Sequence, residues 1–259
     1  MMNLLDVRKL SVSFDGIRAL RDVSFSVEPG EVIALVGPNG AGKTTIFNCL
    51  SRLCRQDQGQ IFFEDEEISH LRPYQIPGRG IARTFQNIEL FTGMTTLENI
   101  MLGCHGDMQT GLLRNLLFTG RARQEEIQAR ETAERIIDFL DLQSVRQHLV
   151  LNLPFGIRKK IELGRALALH PQLLLLDEPV AGLNAEETEE LAWWIQEIRG
   201  GFGTTILLIE HDMRLVMDLS DRVCVLDHGE VIAEGMPNEV RDDPRVIEAY
   251  LGRGSGAAA

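Results

Sequence analysis

The sequence contains no run of about 18 apolar residues, the length a helix needs to cross a bilayer. Its densest apolar stretch, Leu173-Leu174-Leu175-Leu176, stops at Asp177 and Glu178. Any work at a membrane therefore calls for a partner that spans it. Basic residues are also in short supply, with 26 Lys and Arg against 38 Asp and Glu and a net charge of −12. The chain as a whole lacks the positive field that draws nucleic acid or anionic lipid, so no nucleic-acid partner is expected. Asp6, Arg8 and Lys9 interrupt the first ten residues, and no export signal is expected there. The four cysteines, Cys49, Cys54, Cys104 and Cys224, show no zinc-type spacing. A chain this long needs no disulfide, so buried free thiols in a reducing compartment are the expectation. No internal repeat of solenoid period is visible.

What the chain does have is apolar content for a large core, 44% of 259 residues, laid out in two rhythms. Apolar residues alternate at Leu10, Val12 and Phe14 and again at Val23, Phe25 and Val27, on either side of Asp15-Gly16, which reads as an antiparallel hairpin. Residues 31–36 form a short β-rich run that ends in a glycine-rich turn, and 43–53 reads as a helix. Another short strand is expected at 60–63. From 97 to 150 the spacing becomes helical, as in Ala133, Ile136, Ile137 and Leu140. Strand signals return at 173–176, 204–209 and 223–226 with helical segments such as 185–199 between them, the rhythm of a parallel sheet. Asn184 with Glu187 three residues on forms an N-terminal cap for that helix. Asp227-His228-Gly229 marks a hairpin turn. Pro244 suits the start of a last short helix, with Val246, Ile247, Tyr250 and Leu251 toward the body and Gly252 at its end.

Gly37-Pro38-Asn39-Gly40-Ala41-Gly42-Lys43-Thr44 fits G-x-x-x-x-G-K-[ST] in the strand-to-helix setting that the motif requires. Chance would place such an octet in about one chain of this size in a hundred, before the flanking strand and helix are demanded. Its glycines let backbone N–H groups curl around phosphate oxygens, Lys43 brings a point charge to them, and the Thr44 hydroxyl can ligate Mg²⁺. The run Leu173 to Glu178 adds a buried strand ending in two carboxylates. Asp177 can hold Mg²⁺ through water and Glu178 can orient an attacking water. Alone, that run would read as a core strand ending in a solvated acidic turn; the phosphate loop upstream gives it chemistry. The expected fold class is α/β, a P-loop ATPase core with a parallel sheet, an N-terminal antiparallel β sub-domain and an inserted helical sub-domain.

With these elements in place the chain resembles the nucleotide-binding subunits of ABC transporters. Gln86 in Arg-Thr-Phe-Gln resembles their Q-loop. Leu153, Pro154, Phe155, Gly156 and Ile157 stand where the family has its L-S-G-G-Q signature, Ala181-Gly182-Leu183-Asn184 resembles the D-loop, and His211 resembles the switch histidine. The resemblance implies one ATPase domain over 1–252 with a helical sub-domain at about 97–170, and 253–259, small residues from Gly254 on, reads as a flexible tail. It implies that ATP lies against Gly37, Asn39, Gly40, Ala41, Gly42, Lys43, Thr44 and Thr45, with Thr44, Gln86 and Asp177 around Mg²⁺. Glu178, His211 and Lys43 then serve catalysis, and Gln86 senses both the nucleotide and the membrane partner. Phe14 stands where the family places an aromatic under the adenine, though a hairpin core residue would look the same.

The resemblance further implies a partner ATPase subunit, in a homo- or heterodimer whose second phosphate loop faces this signature. It also implies transmembrane permeases and an extracytoplasmic solute-binding protein, with the chain peripheral on the cytoplasmic face of the inner or plasma membrane. Pro154 replaces the family's usual serine and Ile157 its glutamine, so a hydroxyl and an N–H are missing toward the facing ATP. Each hydrogen bond to a charged group is worth about 1.5–3 kcal/mol. A helix expected to begin near Ile157 returns up to about 2 kcal/mol through its dipole. Hydrolysis there should be slowed rather than abandoned. Leu-Pro-Phe-Gly, Ala-Gly-Leu-Asn, Ile209-Glu210-His211-Asp212-Met213, a long helical insertion near 111–130 and the ending Val246-Ile247-Glu248-Ala249-Tyr250-Leu251-Gly252 resemble subunits of branched-chain amino acid importers. Similar subunits serve urea and short-chain amide importers, and soluble ABC-type ATPases outside transport share the motifs. A loop at 86–94, with Phe85, Ile88, Leu90 and Phe91 in or beside it, is the expected permease contact, with packing beneath the helices as its alternative.

Overall fold

The computed structural model describes residues 3–104 and 120–251. Gly252, the 253–259 tail and the first part of the 111–130 insertion lie outside the described residues.

Strands β1 (Leu5–Phe14) and β2 (Ile17–Val27) fold back at Asp15 and Gly16, with φ of 48° and 83°. Leu5 faces Val27 and Phe14 faces Ile17, so the expected hairpin forms. β4 (Gln58–Phe63) and β5 (Glu66–Glu67) complete a four-stranded antiparallel sheet in the order β2-β1-β4-β5. A second sheet holds β3 (Val32–Val36), β6 (Ile81–Arg83), β7 (Leu173–Asp177), β8 (Thr205–Ile209), β9 (Arg222–Asp227) and β10 (Glu230–Gly235). Its order is β10-β9-β3-β8-β7-β6. Neighbours are parallel except β9 and β10, which the His228-Gly229 turn joins as a hairpin.

Helix α1 (Lys43–Leu50) follows β3 and stops three residues before the sequence reading. The Ser51 hydroxyl bonds back to the Phe47 carbonyl at 2.7 Å and Arg52 adopts a φ of 60°, so the chain leaves the helix there. Further helices are α2 (Thr96–Gly103), α3 (Gly120–Phe139), α4 (Phe155–Leu167), α5 (Ala185–Phe202), α6 (Met213–Leu219), α7 (Pro237–Arg241) and α8 (Pro244–Leu251).

Side chains alternate across the central strands. Leu173, Leu175, Leu207 and Ile209 pack toward α1 and the antiparallel sheet, in the cluster with Phe47, Leu5 and Leu20. Leu174, Leu176, Ile206 and Leu208 pack toward the helices on the other face, against Ile100, Ile136, Ile161 and Ile195. Both faces of these strands are covered, which is why they read as unbroken apolar runs. Burying each such side chain contributes about 1.5–3 kcal/mol. On α3, Ala133, Ile136 and Ile137 are buried, as is Leu140 just beyond it. Asn184 and Glu187 form the expected capping box at the start of α5.

Two expectations give way. Phe14 is half exposed and lies outside the core, which removes its packing reading. On α8 Val246 is buried but Ile247 is 44% exposed, because one residue further along a helix rotates the side chain by about 100° off a narrow apolar stripe, and Tyr250, also expected toward the body, is 38% exposed. Among the described residues no disulfide joins the cysteines; Cys49, Cys104 and Cys224 are buried and Cys54 is half-buried.

Candidate active site

The phosphate loop leaves the carboxyl end of β3, the third strand in the sheet order, where open α/β sheets bind their ligands. Within it the Ala41 N–H bonds to the Pro38 carbonyl at 3.1 Å. Gly37 has a φ of 149°, and a Cβ there would lie 2.1 Å from the Leu226 carbonyl oxygen, so the loop can run this close to β9 only as glycine. The Ala41 carbonyl accepts from Gly229 N–H at 3.0 Å, and the Gly229 carbonyl accepts from Arg21 N–H at 2.8 Å. A β turn and a strand thus brace the loop from behind. Asn39, Gly40 and Thr44 are exposed, Gly42 and Thr45 are half-buried, and Ala41 is buried.

Lys43 is buried, and its Nζ donates to the carbonyls of Gly37 at 2.7 Å and Pro38 at 3.1 Å. Burial pushes its pKa down, while the nearby carboxylates of Glu178 and Asp177 push it up. The structure therefore brings together the lysine and the two acids that the sequence places 134 residues or more apart. β7, which ends in Asp177, runs parallel to β3 with only β8 between them, so both strands release their functional residues at the same edge.

Asp177 is buried at the end of β7. Desolvation raises its pKa, opposed by a hydrogen bond and ion pair with Arg83, Nη2 to Oδ2 at 2.8 Å. Glu178 is half-buried, with a φ of 47°. Such a conformation costs a non-glycine residue about 1–3 kcal/mol. Bonds from Glu178 N–H to the Ile209 carbonyl at 3.0 Å and from Ala181 N–H to the Glu178 carbonyl at 3.1 Å hold it there. Its carboxylate accepts from Gln86 Nε2 at 2.9 Å. Gln86 is exposed on the loop after β6, so the glutamine singled out in the sequence does meet the acid after Asp177.

His211 follows β8 with its side chain 62% exposed, and its Nδ1 lies 3.9 Å from Glu210 Oε2. Among the described residues no hydrogen bond joins this imidazole to Lys43, Asp177 or Glu178. Glu210, beside it, is a residue that the sequence reading passed over. It is fully buried, and its carboxylate accepts from Val180 N–H at 3.2 Å and His211 N–H at 3.1 Å. Burial raises its pKa and these N–H groups lower it.

The signature residues open α4. Leu153 is buried, Pro154 takes the N-cap position with no side-chain cap, and Phe155, Gly156 and Ile157 form the first turn. The helix therefore starts two residues earlier than expected. The Phe155 ring lies against Gly182, where a Cβ would sit 3.1 Å from the ring and where φ is 82°. The signature thus packs against the Ala181-to-Asn184 segment of its own chain. Asn184 Oδ1 accepts from Glu187 N–H at 3.0 Å. Asparagine is among the residues that cap a helix best.

Arg83 was also missed. Besides Asp177 it bonds Asn48 Oδ1 at 2.8 Å and Ser51 Oγ at 3.2 Å, both at the α1 end of the site, and lies over the rings of Phe47 and Phe85. One guanidinium thus ties the helix after the phosphate loop, the β7 carboxylate and the chain leading to Gln86. Side-chain exposures of 7% and 4% make Arg83 and Asp177 a buried pair, and removing one partner of such a pair costs about 3–5 kcal/mol. Arg83→Met should lose about that much stability in urea titration, and adding Asp177→Asn should restore part of it.

The family described as "ABC transporter" matches residues 20–181, and "Branched-chain amino acid ATP-binding cassette transporter" matches residues 230–255. The high-affinity branched-chain amino acid transport ATP-binding protein LivG of Escherichia coli K12 is 41% identical over 249 residues, 96% of this chain and 98% of that protein. BraF of Pseudomonas aeruginosa, of the same description, is 40% identical over the same shares. The ADP conformation of MJ1267, an ATP-binding cassette of an ABC transporter, superposes with a TM-score of 0.83 at 32% identity, covering 97% of this chain and 100% of that one. A phosphate loop, two acids and a glutamine drawn to one sheet edge, with sequence likeness along nearly the whole length, place this chain in the ABC transporter family as an ATP-binding cassette.

Proposed function

We propose that this chain hydrolyses MgATP as one of two paired cassettes driving an importer of branched-chain or other hydrophobic amino acids. The observation that carries the ATPase reading is the single cluster of Lys43, Asp177, Glu178 and Gln86 at the carboxyl edge of the sheet. The substrate rests on the relatives, which are named for branched-chain amino acid transport.

The residues fit the nucleotide and the metal. Exposed Asn39, Gly40 and Thr44 leave the outer rim of the phosphate loop open to a triphosphate. The Thr44 hydroxyl, the Gln86 side-chain carbonyl and the Asp177 carboxylate are oxygen donors of the kind Mg²⁺ selects. Bound there, Mg²⁺ would neutralise charge on the phosphate oxygens. Lys43 would exchange the loop carbonyls for phosphate oxygens. Glu178 would orient the attacking water and accept its proton, with Gln86 fixing the carboxylate, and exposed His211 would turn to the γ-phosphate. Phe14, half exposed at the end of β1, would offer its ring to the adenine.

Leu153 and Pro154 lead into the helix that Phe155, Gly156 and Ile157 open beside the Gly182 turn, which suits the five to face a second cassette's nucleotide. Pro154 leaves that contact without a hydroxyl, and the helix dipole that begins at Phe155 makes up part of the loss. Among the described residues no helix is long and apolar enough to cross a membrane, so transport calls for permeases. A solute-binding protein outside the membrane would deliver the substrate, and the cassette would sit on the cytoplasmic face. Of the four apolar residues considered for the permease contact, Leu90 packs against the main core, whereas Phe91 is 57% exposed. Phe91→Glu should cut amino-acid uptake by reconstituted transporter about tenfold or more, a loss of about 1.4 kcal/mol in coupling, and leave ATP hydrolysis by the isolated cassette unchanged. Uptake at the parental rate would refute the contact. An assembled transporter whose ATPase does not respond to any branched-chain amino acid on its binding protein would refute the substrate.

A further inference from the structure

The loop carrying Gln86 is held from below by charged side chains of a single helix. Glu162, Lys159 and Arg165 stand three residues apart on α4, a spacing that lines side chains along one flank. Glu162 Oε1 accepts from Phe85 N–H at 3.3 Å, Lys159 Nζ donates to the Gln86 carbonyl at 3.2 Å, and Arg165 Nη1 donates to the Glu89 carbonyl at 2.5 Å. Thr84 N–H just before the loop closes the sheet on the Leu175 carbonyl at 2.9 Å. At its far end the buried Asn99 of α2 takes both the N–H and the carbonyl of Phe91, at 2.9 and 3.0 Å. All three α4 contacts go to backbone, which leaves the Gln86 side chain free to reach Glu178.

Lys159 and Glu162 are 4% and 2% exposed. Burial lowers the pKa of the lysine and raises that of the glutamate, and the carboxylates of Glu162, Glu210, Asp177 and Glu178 all act on Lys159. Replacing buried charged side chains by well-packed apolar ones of similar volume is often neutral or stabilising. Buried charge at these two places therefore calls for a reason other than stability, and the loop backbone they hold supplies one: polar contacts fix one loop conformation where apolar packing would admit several.

We propose that Lys159, Glu162 and Arg165 are positioning residues for catalysis, which fix the backbone of residues 85–89 so that Gln86 stays on Glu178. Because α4 also opens with Phe155, Gly156 and Ile157, the glutamine of one nucleotide site and the signature offered to the other hang on one helix. This inference rests on the reading that Glu178 and Gln86 serve hydrolysis.

The test compares the full-length parent with Lys159→Met, Lys159→Arg and Arg165→Met, by amide hydrogen exchange and by steady-state ATPase. The expected result for Lys159→Met is exchange at 85–89 faster by tenfold or more with β7 unchanged, kcat lower by about tenfold, and KM for MgATP within twofold. Lys159→Arg should recover both, and Arg165→Met, at the half-exposed end of the row, should show the same pattern more weakly. Faster exchange with unaltered kcat, or lower kcat with unaltered exchange at 85–89, would overturn the proposal. Were Lys159→Met to unfold, Arg165→Met alone would decide by the same criteria. A parent that hydrolyses no ATP would instead refute the functional reading, while the exchange data would still report whether the row holds the loop.

Discussion

Glu178→Gln should lower ATP turnover by about 10²- to 10⁴-fold, the contribution of a positioned general base, while MgATP affinity is retained. Glutamine has the shape of glutamate, so the left-handed turn at φ 47° and its bonds to Ile209 and Ala181 should persist. The site loses the ability to take a proton from water, and one of the two neighbouring negative charges disappears. Binding without hydrolysis should let nucleotide-bound pairs of cassettes accumulate. Size-exclusion chromatography with MgATP, beside a phosphate-release assay, reads both effects. Turnover within a few-fold of the parent would mean that another group activates the water.

Lys43→Met is the second change with a large expected effect. A charge-assisted bond to a charged oxygen is worth about 1.5–3 kcal/mol, so loss of the ammonium should weaken MgATP binding by about 10- to 100-fold. Its fold should survive. The lysine is buried, desolvation disfavours its charge, and methionine fills nearly the same volume without a charge to desolvate. Calorimetric titration with MgATP gives the affinity and a thermal melt gives the stability. A large fall in Tm with the affinity intact would reverse the assignment and make Lys43 a structural tie to Gly37 and Pro38.

The sequence displayed this site unevenly, for physical reasons. Motifs whose chemistry depends on contiguous residues were plain: the Gly37-to-Thr44 loop, the four leucines ending in Asp177 and Glu178, and the Asn184 cap each carry their geometry in local spacing. The strands of the parallel sheet were legible because burial on both faces leaves no polar alternation. Residues that act through distant partners were not. Arg83 reaches Asp177 across 94 positions, and Glu210 reaches Val180 across 30, so in sequence each looks like a solvated charge. Lys159 and Glu162 gave a faint signal, opposite charges three apart on a helix whose neighbours Ile161 and Leu163 are core residues. Ile247 failed in the other direction: an apolar residue one step off a helix stripe matches the pattern of a core without belonging to it. The helix opens at Phe155, two residues before the expected start, because Pro154 at the N-cap holds its φ at −54° and sets the boundary.

ATP hydrolysis by this chain depends on one arrangement, a triphosphate gripped by the loop ending in Lys43 while Asp177 and Glu178 meet its metal and terminal phosphate. Its most direct test is calorimetric titration of purified Glu178→Gln with ATP, first in Mg²⁺ and then in EDTA. Saturable binding of a single nucleotide per chain in Mg²⁺, weakened when the metal is withdrawn and weakened again by adding Lys43→Met, is the predicted result. Absence of saturable binding in Mg²⁺, or binding indifferent to both the metal and Lys43, would contradict it.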